Sequence, residues 1–129
     1  MKKAKKTTAK RRADKAMSDY IRERDRFVCY TCGFHGDKYS IDNGHLISRY
    51  WSTTRYYEAN CKAQCKACNF MHENDPEIYK RKWIAEYGDD VFEGMYAMSK
   101  QILKATVEYY LEVEKEYKAK LSELRTERL

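Results

Sequence analysis

Proline is almost missing from this sequence: Pro76 is the one proline in 129 residues, and there are five glycines. That scarcity excludes a Pro- or Gly-rich linker and leaves no obvious place to divide the chain into two independent domains. No run of about 18 apolar residues occurs, so a membrane-spanning helix is not expected. No apolar signal segment is visible either, and the chain is read as cytoplasmic. With 43% apolar residues it can build one modest core, small enough to need a staple. Acidic residues are the minority charge, 20 against 26 Lys and Arg, and the imbalance is uneven along the chain. Residues 1–72 carry 16 Lys/Arg and 7 Asp/Glu, whereas residues 73–129 carry 10 and 13. A polyanion would therefore meet the N-terminal half.

Cysteine, by contrast, is present in a pattern. Cys29-Tyr30-Thr31-Cys32 and Cys65-Lys66-Ala67-Cys68 are two Cys-x-x-Cys pairs with 32 residues between them. Two residues between paired cysteines let one tight turn aim both sulfurs at a single ion, and two such pairs complete the tetrahedral shell of a structural zinc. Redox or disulfide use of the same pairs is disfavoured by the odd count of five and by the missing signal segment. Cys61 is out of phase with both pairs and reads as a small buried hydrophobe.

Between the pairs, residues 40–49 read as a strand, a turn and a second strand, with Gly44 permitting an unusual backbone angle beside His45. A histidine held on a hairpin has an ordinary pKa of about 6.5 and can take a proton from water at neutral pH. Asn60 lies shortly before the second cysteine pair, and Asn69 directly follows it.

The order of these pieces, Tyr20 to Asp25, Cys29-x-x-Cys32-Gly33, Asp42-x-Gly44-His45, Asn60 and Gln64-Cys65-x-x-Cys68-Asn69, resembles the HNH, or His-Me finger, nucleases. Within that group the chain is most similar to the phage NinG (Rap) recombination endonuclease family, related to endonuclease VII, over nearly everything after about Met17. The resemblance implies an α+β, mostly α fold: a ββα-metal core with a structural zinc, flanked by an N-terminal basic helix and long C-terminal helices. It also implies that His45 is the base that activates water, that Asn60 steadies the hairpin, and that Asn69 binds a catalytic divalent ion, Mg²⁺ or Mn²⁺. The structural zinc falls on Cys29, Cys32, Cys65 and Cys68. In many HNH enzymes an Asp or His directly precedes the base and also binds the ion, whereas Gly44 stands there in this chain. Asp42 is the candidate replacement because hard Mg²⁺ prefers carboxylate oxygen, with His72 and Glu73 in reserve.

Three segments are expected: a flexible basic arm over 1–16, a zinc-stapled module over 17–75, and a helical extension over 76–129 used for packing or dimerisation. A helix is predicted over 13–26, with Ala16, Met17, Tyr20 and Ile21 on one side. Candidate DNA contacts are Lys10, Arg11, Arg12, Arg22, Arg49 and Arg55. The last two sit in a loop with Trp51 and Tyr56, whose rings suit either base stacking or the core. Asp75-Pro76-Glu77 predicts a helix start and Gly88 its stop, with Ile78, Trp83, Ile84 and Tyr87 as the packing face. From Asp89 or Asp90 one helix is predicted almost to the end, about 50 Å long, with an apolar stripe that packs on the other helices or on a second copy. A homodimer is the expected answer.

The resemblance implies a metal-dependent DNA endonuclease acting on branched recombination intermediates, of Holliday junction or D-loop type. The rivals are a non-catalytic zinc-stabilised DNA-binding module and a sequence-preferring HNH nuclease of restriction or homing type.

Overall fold

The computed structural model describes residues 5–129. In chain order it contains α1 (Lys6–Arg24), β1 (Ile41–His45), α2 (Ser52–Arg55), a 3-10 turn (Glu58–Asn60), β2 (Cys61–Cys65), α3 (Lys66–Asn74), α4 (Glu77–Tyr87), α5 (Asp89–Ser99) and α6 (Val107–Glu127). The fold class is mostly helical α+β, with one small sheet in which β1 and β2 pair antiparallel from Ile41 opposite Cys65 to His45 opposite Cys61. None of the described helices is long and apolar enough to cross a membrane.

Small residues decide how the two longest helices meet. Ala9, Ala13 and Ala16 recur at helical spacing on α1 and are buried, followed by Met17 and Ile21, so α6 can approach closely with Tyr110, Val113 and Tyr117. The seam is flanked by charged pairs: Arg12 with Glu114 at 2.8 Å and Arg125 with Glu23 at 2.7 Å. Two expectations change here. The basic arm is helical from Lys6 onward, because its alanines form a buried stripe in spite of the surrounding lysines; residues 1–4 lie outside the described residues. The single C-terminal helix is two, because α6 must lie back along α1. The chain breaks after Ser99, leaves Ile102 fully exposed, and restarts at Thr106, whose hydroxyl caps α6 by accepting Tyr109 N–H at 3.1 Å. The apolar stripe of α6 is thus covered within the chain by α1.

The predicted second strand after His45 is also absent from the described residues: β1 pairs with β2 instead, and Leu46 and Ile47 enter a second core with Tyr79, Trp83, Phe92 and Met95. Pro76 and Gly88 bound α4 as expected, Gly88 with φ 98°. The buried face is Tyr79 and Trp83, however, while Ile78 is 53% exposed. Both aromatics bring a polar atom that finds a partner: Trp83 Nε1–H donates to Ala59 O at 2.9 Å and Tyr79 O–H to Gly44 O at 2.8 Å. Trp51 packs against this second core with the Lys100 ammonium 3.7 Å above its ring, and Tyr56 packs against the first.

Trp83→Ala is expected to lower the unfolding free energy by about 3–5 kcal/mol, as for other buried aromatics. Ile78→Ala should change it by less than about 0.5 kcal/mol, and urea titration of the two variants distinguishes them.

Candidate active site and metal centre

The four paired cysteines converge although 32 residues separate the pairs: their sulfurs all lie within 4.8 Å of one another. Cys32 Sγ and Cys65 Sγ are 3.8 Å apart. Sulfurs at ~2.3 Å from one tetrahedral ion stand about 3.8 Å apart, whereas a disulfide needs about 2.05 Å. The donors therefore fit a structural metal such as zinc. Local geometry aims them: Gly33, at φ 81°, lets its N–H reach Cys29 O at 2.9 Å in the first turn. In the second, Cys65 Sγ accepts Cys68 N–H at 3.4 Å as α3 begins. Cys61 stands apart, fully buried in the first core, where burial raises its thiol pKa far above the ordinary value.

Because the sheet has two strands, β1 keeps an unpaired edge. A cleft of about 820 Å³ is lined by Asp42, Asn43, His45 and Leu46 from β1 and its continuation. Opposite lie Asn69, His72 and Glu73 of α3, Ser18 and Arg22 of α1, and Ser48 and Arg49 of the loop. His45, Asn69 and Asp42 thus share one cleft. Asp42 Oδ1 accepts from Lys66 Nζ at 2.8 Å, and Oδ2 lies 3.3 Å from Asn69 Nδ2. A carboxylate beside a carboxamide is the donor chemistry a hard divalent cation prefers, and here the Lys66 ammonium lies against that carboxylate.

The protonation of His45 is set by one contact. Its Nε2 is 2.9 Å from Arg55 O, and since a carbonyl only accepts, Nε2 carries the hydrogen and Nδ1 holds the lone pair. Burial, with help from the Arg55 and Arg49 charges, lowers its pKa from the ordinary 6.5 to about 4, so the ring is neutral at pH 7. His72 is fixed similarly, Nε2–H donating to Leu46 O at 2.8 Å, while its Nδ1 is buried without a partner.

Asn60 is fully buried and grips the segment leading away from His45. Its Oδ1 accepts Ile47 N–H at 2.7 Å, and its Nδ2 donates to Ile47 O at 2.9 Å and Thr54 O at 3.1 Å. Gly44 has a packing reason. A Cβ there would come 2.0 Å from the Gln64 side-chain oxygen.

The expected DNA contacts divide. Arg22 and Arg49 line the cleft, Arg22 also donating to Asp19 at 2.6 Å. Lys10 and Arg11 lie on α1 outside the cleft lining. Arg12 and Arg55 each meet an acid of the chain. Arg12 is paired with Glu114 while staying half exposed, and Arg55 is a part-buried fork on Asp14, with Nε at 2.9 Å and Nη2 at 2.8 Å, while its Nη1 donates to Arg49 O at 2.8 Å. With Nε, Nη1 and Nη2 all engaged, Arg55 has little left for a phosphate. Sequence reasoning missed Asp14 and Ser18, since a lone Asp in a basic stretch carries no local signal of what it will meet.

Fold and site define a small, mostly helical α+β protein with a four-cysteine cluster that could hold a metal, and a histidine-bearing cleft. The chain belongs to the family of the bacteriophage lambda NinG protein, which matches residues 1–127 and bears out the resemblance seen in the sequence. A protein of Lactococcus phage SK1 named probable HNH endonuclease is 32% identical over 72 residues, covering 51% of this chain and 71% of that protein. No solved structure matches the chain.

Metal analysis of the purified protein is expected to give one zinc per chain. Cys65→Ser combined with Cys68→Ser should lose it, and zinc retained by that double variant would refute the four-thiol assignment.

Proposed function

We propose that this protein is a metal-dependent DNA endonuclease of the HNH type, with β1, β2 and α3 forming a ββα-metal core. The observation that carries this reading is a neutral imidazole, His45, held in one tautomer by Arg55 O on a cleft it shares with Asp42 and Asn69. The phage relative named probable HNH endonuclease supports it.

In this reading Nδ1 of His45 takes a proton from water as the water oxygen bonds to the scissile phosphorus. The P–O3′ bond breaks in line, and the departing 3′ oxygen takes its proton from solvent. Arg22 and Arg49 hold the phosphates that flank the break. Asp42 and Asn69 would hold a divalent ion, Mg²⁺ or Mn²⁺, whose charge would stabilise the phosphate oxygens. Asn60 keeps the chain beyond His45 in place, and Cys29, Cys32, Cys65 and Cys68 would hold a zinc that ties β2 to α3 without entering the chemistry, since four thiolates leave no open position.

The substrate class proposed is branched recombination DNA. Two opposed cuts in a four-way junction need two sites, so the working unit is read as a homodimer, joined elsewhere than along the α1–α6 seam. The rival non-catalytic module leaned on Gly44 as a lost ligand, yet the closeness of Gln64 gives that glycine a packing reason.

His45→Ala is expected to reduce cleavage of junction, flap or linear duplex by at least about 10²-fold with DNA binding retained. Undiminished cleavage by that variant removes the histidine from the mechanism. Because its pKa is lowered to about 4, the base form persists as pH falls and is lost only near pH 4. The acid limb of the rate profile should lie there; a limb near 6.5 would contradict this.

A further inference from the structure

We infer that Asp14, on α1, is a positioning residue for His45, an inference that rests on the proposed nuclease reading. The carbonyl that selects the imidazole tautomer belongs to Arg55, the last residue of α2, and such C-terminal carbonyls have no partner inside their own helix. Its position therefore depends on what holds the peptide from outside. Asn60 Nδ2 and the Tyr117 hydroxyl donate to the neighbouring carbonyls of Thr54 and Tyr56, and Asp14 holds the side chains of Arg55 and Tyr56 themselves. One carboxylate takes Arg55 Nε at 2.9 Å and Nη2 at 2.8 Å, and also accepts the Tyr56 hydroxyl at 2.7 Å. A two-pronged guanidinium–carboxylate pair fixes direction as well as distance, which a single contact would not.

The support runs further back through the fold. Ala13 and Ala16, flanking Asp14, are buried against α6, so the carboxylate projects from a helix that is itself anchored. A small hollow lined by Asp14, Ser18, His45, Arg49, Arg55 and Tyr56 joins these groups behind the imidazole. Asp14 touches neither substrate nor ion in this arrangement. It acts by keeping Arg55 O where His45 Nε2–H must donate, which leaves the Nδ1 lone pair as the base.

The test compares wild type with Asp14→Asn, which keeps the shape but can accept from only one prong, and with Arg55→Lys, which keeps the charge but loses the fork. Imidazole nitrogen NMR at pH 7 reads the tautomer without any DNA. The wild type should show His45 in the Nε2–H form, and both variants a mixture of the two neutral forms. In cleavage assays kcat should fall about 10- to 100-fold with KM within about twofold, and Asp14→Glu, which restores a fork, should recover part of the loss. A pure Nε2–H form in both folded variants would overturn the proposal, whatever their rates. If the wild type cleaves no DNA, the nuclease reading fails, while the NMR comparison still decides whether Asp14 sets the tautomer. Should Asp14→Asn fail to fold, Arg55→Lys carries the same comparison.

Discussion

Two short turns 32 residues apart bring four sulfurs within 4.8 Å, and that convergence does the work of a core the surrounding residues are too small to supply. The buried cluster at this spot is only Cys29, Ile41 and Ala63, with Phe27, Cys65 and Cys68 partly covered around it. At about 25 cal/mol per Å² of apolar surface, such side chains cannot by themselves hold a strand, a turn and a helix start together. A structural zinc on cysteine or histidine ligands is worth about 10–16 kcal/mol in small peptides at neutral pH, so a filled metal site would dominate locally. The start of β1, the end of β2 and the first turn of α3 meet at this centre, because Ile41 lies opposite Cys65 and α3 follows at Lys66.

From that anchor outward, the cleft is arranged by donors reaching backbone carbonyls. Tyr79 reaches Gly44 O, His72 reaches Leu46 O, Asn60 reaches Ile47 O, and His45 itself reaches Arg55 O. The carbonyls of Leu46, Ile47 and Arg55 lie outside the strands, and these contacts satisfy them, so irregular backbone beside a two-stranded sheet becomes a defined surface. The α1–α6 pair contributes from behind. It buries its own alanine and tyrosine seam and presents Asp14, Ser18 and Arg22 toward the cleft and the hollow behind His45. Arg12, Arg24 and Arg55 are each tied to an acid within the chain.

Particular residues show why some features were legible and others were not. The cysteine pairs could be read because two-residue spacing is a local statement about where sulfurs can point. Asp75, Pro76 and Gly88 were readable for the same reason, each acting through its own backbone angle or the next few N–H groups. The hairpin was misread because β1 takes its partner from residues 61–65, and strand pairing across 15 intervening residues has no local signature. The long C-terminal helix was misread because its break follows from where α1 lies, with no proline to announce it. Ile78 and Tyr79 exchanged roles because a one-residue turn of α4 depends on the carbonyl waiting at Gly44.

By itself the sequence determined the donor set and the residue types of the chemistry: four thiols, one histidine, two carboxamides and a nearby carboxylate, in an order that permits few uses. Only tertiary structure decided which cations are tied to acids of the chain and which nitrogen of His45 meets a carbonyl. The reason is that a side chain's bonding capacity is inherited from its chemistry, whereas its occupancy depends on partners far away in the chain, as Asp14 is for Arg55.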